Sequence, residues 1–212
     1  MEADLHIHTS RYSGCSNIDP VAAVRKAKIL GLGAIAFTEH GIRWPDDEIA
    51  LLVQRSGVED LLVIPGQEVA CYSPSGKFQG EFLVFGYQHS LGSNKPAERV
   101  IELVHGEGGV VIAAHPFKRQ KVGHGFYGTG LSTLDLDVDG LEIVHPDYDI
   151  EGQAMALQMM QDKRIAGLGC SDAHDLGAIG VCRTIFERDI ASVGLLAAEI
   201  RSRRVRASRF TR

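Results

Sequence analysis

Two histidines, His6 and His8, flank one isoleucine in the stretch DLHIHTS, residues 4–10. Residues two apart in extended backbone share a face, so the two imidazoles can converge on one point, which is a chelating geometry for a divalent cation. The spacing returns in CSDAH, where Asp172 and His174 add a carboxylate able to bridge ions. Between these stretches, apolar runs end in further chelating residues: Glu39 and His40 in AIAFTEH, Glu68 in LLVIPGQEV, His115 in GVVIAAHP and His145 in GLEIVHP. The chain has nine histidines and six of them stand in these segments, a distribution that structural capping alone does not account for. Mixed imidazole and carboxylate ligands suit zinc, manganese or iron and disfavour the all-oxygen shell of calcium. Seven or more such groups exceed what one tetrahedral ion accepts, so two or three ions are expected. Of the other histidines, His89 is read as a loop residue, His105 as a solvent-facing helix residue, and His124 as a neighbour of the substrate.

The groups can meet only if the strands that carry them end on one rim. Valine- and isoleucine-rich runs alternate with amphipathic stretches, the pattern of repeated βα units around a mainly parallel sheet. Seven strands are predicted, ADLHIH, AIAFTEH, LLVIPGQEV, GVVIAAHP, GLEIVHP, IAGLGCSDAH and CRTIFER, with EFLVFGYQ as an extra strand pairing with the end of the third. A helix is predicted after Asp19 as cap and Pro20 at the first position, with Val21, Val24 and Ile29 as its apolar stripe and Gly31 as its stop. Three more helices are expected near residues 96–105, 152–163 and 190–201. The glycine-rich stretch 118–133 reads as a long loop of the kind that covers sites.

Length and composition set the frame. With 212 residues, 44% apolar and 23% charged, one globular domain over 1–212 is expected. The net charge of -5 argues against a dedicated nucleic-acid binder, although the last twelve residues, RSRRVRASRFTR, hold six arginines and read as a final strand or tail. Cys15, Cys71, Cys170 and Cys182 show no C-x-x-C pairing, and no leader or membrane-length apolar run is present, so a cytoplasmic protein is expected. Nothing in the sequence specifies an oligomeric state.

DLHIHT, FTEH, PGQEV, AHP and GCSDAH, in that order, resemble the PHP family, the polymerase and histidinol phosphatase superfamily of metal-dependent phosphoesterases. The resemblance runs from Asp4 to about Glu187 and implies an α/β fold, a distorted (β/α)7 TIM-like barrel, with a di- or trinuclear centre of Zn, Mn or Fe on the C-terminal rim. By motif match, His6, His8, His40, Glu68, His115, Asp172 and His174 are the implied metal ligands, with Glu68 bridging. Three positions depart from the pattern. Ser13, Gly14 and Cys15 stand where many members have Ser-Asp-Gly with a ligating aspartate, so Cys15 is either a substitute thiolate or a turn residue. Glu81 stands where a ligating histidine is common, which makes it a further metal candidate, and His145 stands where asparagine is expected.

The activity implied is hydrolysis of a phosphate ester, of a small phosphorylated metabolite or nucleotide, by a metal-activated hydroxide. His6, His8, Glu68, Asp172 and His174 carry the catalysis in this reading, and His174 or His145 is placed to protonate the leaving group. Arg11, Arg43, Lys118 and Arg119 follow the motifs and are expected to hold the phosphate, with His145 a substrate contact. The alternatives are a metal-dependent amidohydrolase, which lacks a strand-end lysine here for a carbamylated bridge, a metal-binding module without turnover, and a nuclease using the arginine-rich end.

Overall fold

A computed structural model of the chain describes residues 1–121 and 125–210; His124, expected near the substrate, lies outside the described residues. Ten strands form two five-stranded sheets. The first sheet has β1 (Glu2–Ile7), β2 (Ala34–Phe37) and β3 (Leu62–Pro65) running parallel, with β9 (Cys182–Phe186) antiparallel to β1 and β10 (Val205–Arg209) at the edge, in the order β10-β9-β1-β2-β3. The second has β4 (Gln67–Tyr72), β5 (Phe78–Phe85), β6 (Val110–Ala113), β7 (Gly140–Val144) and β8 (Ala166–Gly169) in chain order, antiparallel through β6 and parallel beyond.

The α/β alternation is as expected, but the ladders do not close one seven-stranded barrel. Pro65 and Gly66 break LLVIPGQEV in two, so the single expected strand supplies β3 to one sheet and β4 to the other. A Cβ at Gly66 would lie 2.6 Å from the Phe85 ring, so this crossing requires glycine. The extra strand β5 pairs with β4 as anticipated. The sheets face each other across a shared apolar interior that draws Leu5, Ala36 and Ile64 from one and Leu83, Ile112 and Leu168 from the other. Two isolated parallel bridges, Ile7 to Ala173 and His40 to Glu68, join the sheets at the ends that carry the chelating residues.

Helices cover the outer faces. In α1 (Pro20–Ile29) Asp19 caps as expected, its carboxylate accepting from Ala22 N–H at 2.8 Å. The buried stripe is Ala23, Val24 and Ala27, whereas Ile29, expected inside, is 80% exposed. Small residues let this helix lie close on its sheet, and Ile29 falls on the opposite side. Helix α2 (Asp46–Ser56) was not anticipated; Asp46, Asp47 and Glu48 in its first turn complement the helix dipole, and Gly57 at φ 68 ends it. Helices α3 (Ala97–Gly106), α4 (Ile150–Lys163) and α5 (Val193–Arg201) match the other three expectations to within a turn. His105 does not face solvent freely but meets Asp139 at 2.8 Å. A short 3-10 helix, Gly130–Asp135, takes up the end of the expected loop and runs just past it.

The arginine-rich end is strand β10, paired with β9 along its length. Arginines before it and at its end are engaged, Arg204 with Glu199, Arg203 with the Arg164 carbonyl and Arg209 with the His145 carbonyl. Among the described residues no helix is long and apolar enough to cross a membrane.

Candidate metal centre

The strand ends converge as the spacing requires. His6 and His8, at the end of β1, bring their Nε2 atoms to 3.1 Å from each other. Glu68, at the start of β4 and therefore beside the end of β3, reaches His6 Nε2 at 3.3 Å, His8 Nε2 at 3.3 Å, His40 Nδ1 at 3.1 Å and His115 Nε2 at 3.0 Å. Asp172, beyond β8, lies 3.4 Å from both His6 and His8 Nε2. Glu81 on β5 stands 3.6 Å from His115 Nε2. His174 stacks on His8 with ring centroids 4.5 Å apart. Donor atoms of His6, His8 and Glu68, of His40, Glu68 and Glu81, and of His8, His40 and His174 form three groups, each within 4.8 Å.

Backbone conformation at two of these positions is unusual. His115 at φ 29 and Asp172 at φ 49 sit in the left-handed region, which costs a residue other than glycine about 1–3 kcal/mol and persists where surrounding structure imposes it. At His115 the imposing contact is its own N–H, which donates to Glu142 Oε2 at 2.6 Å. At Asp172 it is the adjacent Ala173, whose N–H donates to the His6 carbonyl and whose carbonyl accepts from His8 N–H.

Three buried or half-buried acceptors decide which imidazole nitrogen is free. His6 Nδ1 donates to Glu142 Oε1 at 2.9 Å. His8 Nδ1 faces the Ser13 hydroxyl at 3.3 Å, and that hydroxyl spends its proton on Glu39 Oε2 at 2.5 Å, so the ring nitrogen is the donor. His174 Nδ1 donates to the Asp172 carbonyl at 2.9 Å. In their neutral forms all three rings therefore present Nε2 lone pairs, and those of His6 and His8 face each other. Two lone pairs at that distance repel unless a proton or a cation lies between them. The donor set thus fits divalent cations, and among the described residues the buried His115 Nδ1 makes no hydrogen bond and the buried His145 Nε2 has only Asp172 Oδ2, at 3.5 Å.

The charges tell the same story. Burial alone depresses His6, but attraction to Glu68, Asp172 and Glu142 overrides it and holds its pKa well above the usual value. His8, likewise opposed by burial, is raised to about 9 by hydrogen bonds to Asp172 and Glu68. Burial favours the neutral forms of Glu68 and Asp172, yet the surrounding histidines, His6 first, keep both well below the carboxylate range. Glu81 is pushed up to about 7 by burial and by the Glu68 charge. Without a cation the cluster must hold protons to balance its buried carboxylates; with one, the protons leave.

A cleft of about 670 Å³ opens onto the centre, lined by His40, Glu68, Glu81, His115, Asp172 and His174 on one side and Lys118, Arg119 and Tyr127 on the other. Lys118 Nζ bridges Asp172 at 3.0 Å and Asp147 at 2.9 Å. Arg119 lines the cleft but pairs with Asp149 and Glu151. Two expected phosphate contacts are elsewhere. Arg11 turns to Glu48 at 3.2 Å and Arg43 to Asp46 at 2.6 Å, both acids in the first turn of α2. His145, expected as a substrate contact, is fully buried beneath Asp172, its Nε2 3.5 Å from Oδ2. Glu39 points away from the centre, accepting from Thr9, Ser13 and Trp44.

Two residues that motif reading passed over support the centre. Glu142 positions His6 and His115 as described, and its pKa is held at about 2, against the effect of burial, chiefly by His6. Asp4 is fully buried and accepts from the Ser171 hydroxyl at 2.5 Å, Ser171 N–H at 3.1 Å and Gly180 N–H at 2.8 Å, tying β1 to the segment that carries Asp172. The visible signal in each case is one acid inside an otherwise apolar strand, since a buried charge needs partners.

Fold and site together define an α/β protein with a cluster of candidate cation ligands at the junction of two sheets. Residues 153–205 match the family model described as PHP-associated. MJ1587, an uncharacterized protein of Methanocaldococcus jannaschii, is 30% identical over 153 residues, 68% of this chain and 81% of that protein. Similar folds occur in a two-domain protein of Bacteroides vulgatus containing a predicted PHP-like metal-dependent phosphoesterase, with a TM-score of 0.68, 19% identity, and coverage of 98% of this chain and 64% of that one. PsfC from Pseudomonas syringae gives a TM-score of 0.70 at 18% identity, covering 99% and 91% of the two chains. Endonuclease Q, in complex with a duplex carrying an abasic lesion, gives 0.60 at 19% identity, covering 95% of this chain and 55% of that one. The chain belongs to the PHP superfamily.

Proposed function

We propose that the protein is a metal-dependent phosphoesterase that hydrolyses a phosphomonoester of a small metabolite or nucleotide at a two- or three-ion centre of Zn, Mn or Fe. The observation that carries this reading is the pair of imidazoles, His6 and His8, locked by Glu142 and Ser13 so that both Nε2 atoms meet at 3.1 Å beside Glu68 and Asp172. When bound, the ions supply Lewis-acid chemistry, neutralising phosphoryl oxygens and lowering the pKa of water.

The chain's own residues have separable roles in this reading. Glu68 touches four imidazoles and would be shared between ions; His6, His8 and Asp172 would hold one of them, His40 and His174 would serve on the solvent side, and His115 with Glu81 would complete the set. Lys118, half-buried in the cleft wall and raised in pKa by Asp172 and Asp147 despite burial, stays charged and offers a point contact for a phosphate oxygen. Arg119 is a second contact if the phosphate draws it from Asp149. His174, at the cleft and lowered by burial, stays neutral with Nδ1–H on the Asp172 carbonyl, which suits Nε2 to hold an ion rather than to protonate a leaving alkoxide. The cleft admits a small phosphorylated molecule. The arginine-rich end is built into a sheet, which favours a small substrate over a nucleic acid.

The test is phosphate release from a panel of phosphorylated metabolites by metal-stripped protein reconstituted with Mn, Zn or Fe. Turnover of at least one monoester is expected, and Ala at His8 or Asp172 should lower it at least 1,000-fold while circular dichroism is unchanged. Full metal occupancy with no ester cleaved would replace the enzyme with a metal-binding module, and cleavage of amides alone would make it an amidohydrolase.

A further inference from the structure

We propose that Cys15 is a thiolate ligand to an ion held with His40 and His174 on the solvent side of the centre. This rests on the metal-centre reading above and adds to it a soft ligand that imidazole and carboxylate chemistry does not supply. Cys15 Sγ lies 3.3 Å from His40 Nε2. The His40 ring lies tilted and the His174 ring stacked against His8, with centroids 4.4 and 4.5 Å from its ring, and donor atoms of the three lie within 4.8 Å of one another. Because His174 Nδ1 is bound to the Asp172 carbonyl, its Nε2 is the nitrogen left to coordinate.

The position of the thiol is built rather than incidental. Ser16, next in the chain, places its hydroxyl between the His8 carbonyl at 2.8 Å and the His174 carbonyl at 3.2 Å, and Asn17 N–H donates to the His174 carbonyl at 3.1 Å. The turn that carries Cys15 is thereby fastened to His174, with which it would share the ion, and to the neighbouring His8. Cys15 is exposed, as is His40, so an ion can reach them from the cleft, whereas Cys71, Cys170 and Cys182 are buried in the apolar interior.

On binding, a sulfur–metal bond forms and the thiol proton passes to solvent; no group is oxidised or reduced. One thiolate with two imidazoles and an open position is a zinc-type donor set, so the outer ion is expected to be zinc or ferrous iron even where the inner, oxygen-richer sites accept manganese.

Cobalt(II) titration of the metal-stripped full chain tests this by a spectrum rather than by activity. Wild-type protein should develop both cobalt ligand-field absorption and a sulfur-to-cobalt charge-transfer band in the near ultraviolet. C15S should lose the charge-transfer band and keep ligand-field absorption from the inner sites, which shows that the fold is intact. X-ray absorption of the zinc form should show one sulfur at about 2.3 Å, absent in C15S. Cobalt bound by wild-type protein with no sulfur band, or a band that survives in C15S, overturns the thiolate and leaves the phosphoesterase reading standing. A chain that takes up no cobalt at all overturns both.

Discussion

Glu142 faces no cleft, yet the arrangement of the ligands depends on it. One oxygen fixes the tautomer of His6 and the other holds His115 in its left-handed backbone. Glu142→Gln keeps the volume but turns one acceptor into an amide donor, so either the His6 ring or the His115 N–H loses its partner. Groups that orient a ligand in this way typically contribute about 10–100-fold in metal affinity, and that loss is expected for E142Q in competition with a chromophoric chelator, with secondary structure unchanged. Wild-type affinity in E142Q would reject the positioning role. The residues that cluster were legible in the sequence because each ends an apolar run, while their supports were not, because a supporting acid has no motif. Glu39 could have been set aside from sequence alone: it precedes His40 in extended chain, so the two side chains point to opposite faces. Arg11 and Arg43 could not, since their partners lie on α2, whose acidic first turn WPDDE was not read as a helix start.

At the level of elements, the seam where β8 meets β9 and β10 holds Asp172 in place. The Thr184 hydroxyl accepts from Gly169 N–H at 3.2 Å and donates to the Gly169 carbonyl at 3.0 Å. A Cβ at Gly169 would come within 2.5 Å of the Arg183 carbonyl oxygen and 3.1 Å of Ser208 backbone atoms. Backbone on both sides cannot turn away as a side chain would, so Gly169→Ala is expected to cost about 1–3 kcal/mol of stability, read as a lower midpoint in urea. The same variant should weaken metal binding, because the loop from 170 to 174 starts there; an unchanged midpoint would show the seam to be slack. The alternation of strand and helix was readable from periodicity, and so were four of the five helices. The division into two sheets was not. Nothing in LLVIPGQEV except Pro65-Gly66 marks the change of sheet, and β10, rich in arginine with only Val205 and Ala207 between, carries too little apolar pattern to decide between the strand and the tail that the sequence offered.

For the molecule as a whole, the centre couples folding to protons and cations. His8 has its pKa raised from 6.5 to about 9 in the folded state, so its contribution is fully present below pH 6.5 and is lost as pH rises through 9. The size of that shift corresponds to roughly 3 kcal/mol. Glu81, raised to about 7, and Asp4, raised by burial to about 6, act in the same direction, since each holds a proton in the folded chain at a pH where the unfolded chain has released it. Metal-stripped protein should therefore lose stability from pH 6 to pH 9, by about 6–12 °C in Tm for the His8 contribution alone. A divalent cation binds the deprotonated ligands, so its stabilisation grows over the same range and amounts to ~3 kcal/mol at 100 times Kd. Calorimetric scans of stripped and zinc-loaded protein at pH 6, 7, 8 and 9 should diverge, the stripped Tm falling while the loaded Tm holds or rises. Zinc addition at pH 7 should release protons, measured as a binding heat that changes with the ionisation enthalpy of the buffer. Parallel Tm curves together with a buffer-independent heat would mean that cations do not take the place of these protons, and the buried carboxylates of the centre would then need another source of positive charge.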